Sequence, residues 1–150
     1  MKNFLSRLLV FLVIIGVSGC GDGDVISREG KEKAEQLARY LTNRNYEEFK
    51  SMFSEATANL NDFNEQVEEF WMFLDGEIVS YNIGGVSGVK NGLTLLDVTP
   101  EIKDIETDSG RSFTIFFQYC LINENDTSRV GVNWLVIKDV DGEMFILGDY

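Results

Sequence analysis

Apolar residues between positions 31 and 75 recur at the three- and four-residue spacing of amphipathic helices. This spacing predicts three helices, of which the second is short. Their inward-facing residues are, in chain order, Ala34, Leu37, Ala38, Leu41, Tyr46, Phe49, Met52, Phe53, Phe63, Val67, Phe70, Trp71 and Leu74. Asn45 and Asp62 each precede a Glu by three residues, which is the capping-box pattern of a helix N-terminus. Gly76 ends the third helix.

From Glu77 onward the hydrophobic period changes from about 3.6 residues to two, which indicates strands. The first strand alternates apolar and polar residues as far as a turn predicted at Gly84-Gly85. A second turn is predicted at Asn91-Gly92. The segment after it has the pattern of one strand that is broken or bulged at Pro100.

The strand pattern continues to the C-terminus. Residues 113–122 carry apolar side chains on both faces, which indicates a central strand. The alternation predicts that Val132 and Trp134 share a face of the next strand, and Asp141-Gly142 is a hairpin-turn signal. Helices followed by an antiparallel meander predict an α+β fold, with three N-terminal helices packed on one face of a curved antiparallel sheet.

The first twenty residues differ in character from the rest. Lys2 and Arg7 precede a short apolar run at residues 8–17. That run is shorter than the roughly 20 residues that cross a bilayer, and it has the length of a signal-peptide core. An uncleaved anchor and a buried core helix are the alternatives, but the run is short for the first and lacks the polar face expected of the second.

The ending of this segment, Val17-Ser18-Gly19-Cys20, resembles the lipobox of bacterial lipoproteins. In that family the thiol is joined to diacylglycerol and the chain is cut just before the cysteine. The resemblance implies a signal peptide at 1–19, the lipidated Cys20 with a flexible tether at 20–30, and one α+β domain at 31–150. It also implies a lipid-anchored protein on the extracytoplasmic face of the cell membrane.

Cleavage after residue 19 would leave 131 of the 150 residues, a length that suits one domain. It would also change the formal net charge from −12 to −14, because residues 1–19 contain Lys2 and Arg7 and no acidic residue. Such a negative chain is a poor partner for nucleic acid, whose phosphates need clustered Lys and Arg.

Few residues suggest catalysis or metal binding. The chain has no His, which removes Ser-His and Cys-His catalysis and the commonest zinc ligand. Cys120 lies in an apolar run, where a buried, inert side chain is favoured over a reactive thiol. The carboxylates Asp62, Glu65, Glu68 and Glu69 indicate a solvated helix face more than an acid–base pair. Residues 139–143 favour a hairpin over a calcium loop, and no metal or cofactor is predicted.

Four aromatic residues with polar tips are the candidates for ligand binding: Trp71, Tyr81, Tyr119 and Trp134. Rings of this kind line many ligand pockets. The same residues at these spacings also suit an ordinary hydrophobic core, and this alternative stays open.

Residues 74–81 (LDGEIVSY) and 130–134 (VGVNW) resemble a family of small Gram-positive lipoproteins of unknown function. The order of elements resembles the cone-shaped nuclear transport factor 2-like fold. The resemblance implies a pocket between the third helix and the sheet. It supplies no activity, because one fold hosts many functions.

Three hypotheses follow for the function. The leading one is a lipid-anchored, non-catalytic binding or accessory module for a small molecule, a peptide or an envelope protein. The others are an enzyme that uses a buried Asp or Tyr as acid or base, and a structural or immunity-type protein that acts by surface contact. A filled interior together with an exposed apolar patch would favour a protein partner.

Overall fold

A computed structural model of the protein describes residues 22–149. The predicted signal peptide and Cys20 lie outside these residues. The described helices are α1 (Asp22–Thr42), α2 (Tyr46–Ser51), α3 (Glu55–Ala58) and α4 (Phe63–Leu74). The strands are β1 (Ile78–Asn91), β2 (Leu95–Thr107), β3 (Ser112–Asn123), β4 (Gly131–Asp139) and β5 (Met144–Gly148), with a 3₁₀ turn at Thr127–Arg129. The expected order, helices and then an antiparallel sheet, is confirmed.

The helical part of the structure differs from the three-helix prediction by one element. The additional helix, α3, has only four residues, too few to show an amphipathic repeat. Ser54 caps it by accepting a hydrogen bond from the Thr57 amide at 3.2 Å. The segment before it pairs with β4, since the Ser54 amide donates to the Val132 carbonyl at 2.9 Å. Long-range pairing of this kind leaves no periodic signal in the sequence.

The largest difference is at the start of α1, where a flexible tether was expected. Residues 22–30 are helical, and Gly30 is buried. A Cβ at Gly30 would collide with the Val86 side chain, so this glycine permits close packing of α1 on β1. One helical turn before Gly30, Ile26 of α1 lies beside Gly88 of β1. Gly30, one of the glycines that suggested a loose linker, is therefore a packing position, whereas Gly23 has no atom within 4 Å of its Cβ position.

The five strands form one antiparallel meander in the order β1-β2-β3-β4-β5. The turn predicted at Gly84-Gly85 is absent from β1. Ile83 pairs with Ile102 and Val86 with Pro100, so the two glycines face the single residue Glu101 and form a bulge. Pro100 lies beside that bulge, and β2 continues past Pro100 without a break. Proline cannot donate a hydrogen bond to a neighbouring strand, so a bulge is one of the few positions in a sheet that accommodate it.

The core lies between the helices and the inner face of the sheet, and side chains fill it. Phe49 of α2 stacks on Phe70 of α4 at a centroid distance of 5.1 Å. Ile115 and Phe117 of β3 are fully buried against them, as is Leu135 of β4. The space between the third predicted helix, now α4, and the sheet is thus occupied by protein. Among residues 22–149, no helix is both long and apolar enough to cross a membrane.

Candidate functional site: the outer face of the sheet

Side-chain alternation in β3 and β4 points several large apolar residues away from the helices. Ile115 and Phe117 are buried in the core, whereas Phe116 between them is exposed. In β4, Trp134 and Val136 are half-buried and alternate with core residues. Since successive strand residues face opposite sides of a sheet, these three side chains lie on the outer face.

The strand register aligns these residues with the edge strand β5. Phe116 pairs with Val136, and Val136 pairs with Ile146, which makes one row across β3, β4 and β5. Phe116 is 37% exposed, Ile146 42% and Met144, in the next row of β5, 61%. We name Phe116, Trp134, Val136, Met144 and Ile146 the outer-face patch. A solvated sheet face normally carries polar residues, so this patch is an exception and a candidate interaction surface.

An acidic groove borders the outer-face patch on the β2 side. Its volume is about 490 Å³, and its lining includes Glu101, Asp104, Glu106, Lys138 and Phe116. Glu101 is the register partner of Phe116, so apolar and acidic surfaces meet along β2 and β3. Carboxylates therefore form one border of the outer-face patch.

Strand β1 holds the carboxylates of this groove in place. The Gly85 amide donates to Glu101 Oε2 at 3.2 Å, and Asn82 Nδ2 donates to Asp104 Oδ2 at 3.1 Å. A side chain at Gly84 would occupy the space of the Glu101 carboxyl group. The Gly84-Gly85 bulge thus places Glu101, a role that the turn prediction missed.

Polar groups adjoin one end of the outer-face patch, beside Trp134. Gln118, the register partner of Trp134, donates from Nε2 to Asp97 Oδ2 at 3.2 Å. Asp97 Oδ1 is buried and accepts no hydrogen bond from residues 22–149. Cys120 is the register partner of Asp97. Burial first, and the neighbouring Asp97 second, raise the pKa of the Cys120 thiol to about 12. The expected buried position of Cys120 is confirmed.

The structure does not bring the four predicted ligand-binding aromatics together. Trp71 lies in an aromatic cluster of α2 and α4, with centroids 4.6 Å from Tyr46 and 5.4 Å from Phe49. Tyr119 is half-buried at the inner face, with Lys33 Nζ 4.6 Å from its ring centroid. Trp134 alone of the four belongs to the outer-face patch.

Tyr81 lines a separate groove between α1 and β1, with a volume of about 470 Å³. Glu35, Arg39, Asn82 and Ile83 contribute to the same groove. A ring, an ion of each sign and an amide converge there, which suits a small polar ligand. This groove is the second candidate site.

A second set of acidic residues lies at the surface of α4. Asp62, Glu65, Glu68 and Glu69 are all exposed on or beside α4, as expected of a solvated helix face. No three His, Cys, Asp or Glu side chains within residues 22–149 are grouped so that they could hold a metal ion.

Asp139 belongs to the predicted hairpin turn, which is confirmed. Its buried carboxylate accepts hydrogen bonds from the amides of Asp141 and Glu143 and from Arg111 at 3.0 Å. Burial by itself would raise the pKa of Asp139, but Arg111 and the two amides together hold it below its usual value. Arg111 also donates to the Phe73 carbonyl at 3.2 Å, which ties the end of α4 to the sheet. The sequence did not indicate these two contacts of Arg111, because Asp139 and Phe73 lie 28 and 38 residues away from it along the chain.

Fold and site together define a small α+β domain with a filled interior, whose sheet presents an apolar outer face beside an acidic groove. The family model described as a domain of unknown function (DUF5104) matches residues 36–141, most of the chain. The protein therefore belongs to this family. None of the curated proteins compared with the chain matches it.

Proposed function

We propose that this protein is a lipid-anchored, extracytoplasmic binding module that engages a protein partner through the outer-face patch. The carrying observation is the row Phe116–Val136–Ile146, whose two outer members are exposed while the opposite face of the same sheet is filled. An exposed apolar patch with a polar rim is typical of protein–protein interaction sites. The lipid would be carried by Cys20, since residues 17–20 have the small-small-Cys pattern.

The surroundings of the patch define the chemistry of the partner. Glu101, Asp104 and Glu106 line the groove beside Phe116, and the whole chain has a formal net charge of −12. A partner segment with apolar side chains flanked by Lys or Arg would be complementary to this surface. An acidic segment would be repelled by the same carboxylates.

We also infer that the domain is a closed relative of the nuclear transport factor 2-like fold. The order of elements supports this, with helices preceding a meander of five antiparallel strands. In this domain, side chains such as Phe49, Phe70 and Phe117 take the place of a pocket. Binding would therefore have moved from the inside of the cone to the outside of the sheet.

A second function, binding of a small polar ligand, rests on the groove between α1 and β1. Arg39, Tyr81 and Asn82 offer it a cation, a ring and an amide at one opening. Titration of Tyr81→Ala and parent protein with candidate polar ligands, followed by calorimetry, would test it. Binding that survives the substitution unchanged would remove this groove from consideration.

Site-specific photo-crosslinking in intact cells tests the main proposal. A photoreactive residue at Phe116 or Ile146 should give one discrete adduct, and the same residue at Met72 on α4, 70% exposed, should not. With the partner identified and purified, Ile146→Lys should weaken binding by about tenfold or more, as loss of a central contact does. Met72→Lys serves as the matched control and should leave affinity unchanged. Equal adducts from positions 72 and 146, or equal effects of the two lysines, would overturn the proposal.

The anchoring is tested separately. Cys20→Ser should release the protein from membranes or leave its signal segment uncleaved. Intact-mass measurement of the parent should show a diacylglyceryl-modified N-terminal cysteine at position 20. Identical fractionation and identical N-terminal mass for parent and variant would show that Cys20 carries no lipid.

A further inference from the structure

The position of α1 fixes where the chain leaves the domain. Ile26 lies beside Gly88, and Gly30 packs against Val86, so α1 runs antiparallel to β1. The first turn of the helix therefore points toward the β1–β2 turn at residues 91–94. From Ile26 to Asp22 a helix rises about 6 Å, which brings its start level with the end of β1.

Several connections meet at this end of the sheet. The Glu124 amide donates to the Thr94 carbonyl at 2.9 Å and so joins the β3–β4 connection to the β1–β2 turn. We name the start of α1, residues 91–94 and residues 124–130 together the anchor end. The opposite end of the sheet carries the β2–β3 turn and the β4–β5 hairpin.

An apolar side chain stands at the tip of the anchor end. Leu93 occupies the turn Asn91-Gly92-Leu93-Thr94 and is 81% exposed. Polar residues or glycine normally fill such turns. Val130, at the end of the β3–β4 connection, is 40% exposed and adds further apolar surface to the anchor end.

We propose that the anchor end rests on the bilayer, with Leu93 inserted at the lipid headgroup level. This rests on the proposed lipid at Cys20. One residue separates Cys20 from α1, and two steps of fully extended chain span at most about 7 Å. A lipidated Cys20 so close to a docked helix would hold the adjoining end of the sheet at the membrane. Because the chain is strongly acidic, the contact depends on Leu93 and not on attraction to anionic lipid.

Fluorescence of the full, lipidated chain in phosphatidylcholine vesicles tests this orientation. Leu93→Cys is labelled with an environment-sensitive dye, and Val140→Cys, 76% exposed at the opposite end, is the matched control. The buried Cys120 should take up little label, and the labelled parent measures that background. The dye at position 93 should show blue-shifted emission and lose intensity when nitroxide-labelled lipids are present. The dye at position 140 should do neither.

Lengthening the connection gives a second readout. A flexible Gly-Ser insertion of about ten residues between Gly21 and Asp22 would let the domain move away by roughly 17 Å. The dye at position 93 should then lose most of its lipid quenching while the lipid remains on Cys20.

Two results would overturn the proposal, and intact mass separates them. A chain with a diacylglyceryl group on Cys20 whose dyes at positions 93 and 140 are equally unquenched would disprove the orientation alone. A chain with an unmodified Cys20 would disprove the anchoring and, with it, the orientation.

Discussion

At the scale of single residues, the most unusual pair is Cys120 and Asp97 beside the outer-face patch. A thiol that stays protonated and a carboxylate with one unbonded oxygen share a buried position beside Gln118. A thiolate at this place would meet both desolvation and the Asp97 charge, and both oppose ionisation. Burial and the raised pKa both disfavour the thiolate that a nucleophilic cysteine needs.

The raised pKa makes stability depend on pH in the alkaline range. The unfolded chain loses the Cys120 proton near pH 9.0, whereas the folded chain keeps it to about pH 12. The native state therefore binds more protons in this window. Its free energy of unfolding should fall as the pH rises from about 9 to about 12, by up to about 1.4 kcal/mol per pH unit.

Urea denaturation at several pH values measures this loss. Cys120→Ala is the control, because it keeps the other titrating groups and lacks only the thiol. The parent curve should descend more steeply than that of the variant above pH 9. Parallel curves would show that Cys120 ionises equally well in both states.

The two tryptophans should respond differently to truncation. Trp71 packs against the core and three other rings, so Trp71→Ala should cost about 3 kcal/mol of unfolding free energy. Trp134 is half-buried on the outer face, and Trp134→Ala should cost only about 1–2 kcal/mol. Partner binding should shift the fluorescence of Trp134 and leave that of Trp71 unchanged. Equal stability losses would place Trp134 in the core instead, and a partner-induced shift from Trp71 would place the partner on the helices and not on the outer-face patch.

At the scale of elements, bulges decide which predictions succeed. The periods of the helices and strands were sufficient to predict α2, α4 and the meander, because local alternation carries that information. The bulge at Asn133 was not predictable in this way. Gln118 pairs with Trp134 and Tyr119 with Val132, so Asn133 is an additional residue, and Trp134 turns away from the face that holds Val132. Sequence alternation assigned Trp134 to the same face as Val132, so the outer-face patch could not be predicted from it.

Buried hydrogen bonds hold that additional residue in place. Ser54 donates from Oγ to Asn133 Oδ1 at 3.1 Å, and Thr57 donates to the Asn133 carbonyl at 3.0 Å. These partners are 79 and 76 residues away in sequence. Contacts at such separations depend on the completed fold, which explains why neither α3 nor the bulge could be derived from local spacing.

Two glycines in α1 test whether its first turns are docked. Gly30→Ala places a Cβ against Val86 and should cost about 1–3 kcal/mol of unfolding free energy. Gly23→Ala meets nothing within 4 Å and should stabilise by up to about 1 kcal/mol through helix propensity. Thermal and urea denaturation of both variants give the comparison. If both alanines stabilise the protein, residues 22–30 are not packed on β1.

At the scale of the whole molecule, the proposed binding mode gives charge and apolar surface separate roles. The inner face of the sheet is used for folding, and the outer face combines an apolar row with a carboxylate border. The net negative charge, formally −14 once residues 1–19 with Lys2 and Arg7 are removed, acts at longer range and would attract a basic partner before contact. The apolar row would then determine how long the complex lasts, since most affinity differences lie in dissociation.

This division predicts which step of binding each substitution changes. With the partner in hand, Glu101→Gln with Glu106→Gln should lower the association rate constant by about three- to tenfold at low salt and reduce its dependence on ionic strength. Glu68→Gln with Glu69→Gln removes the same charge from the exposed side of α4 and should change the rate far less. Ile146→Lys should act chiefly by accelerating dissociation. Stopped-flow kinetics at two salt concentrations separate these effects, and equal losses from the two glutamine pairs would show that only net charge, and not the acidic groove, guides the partner.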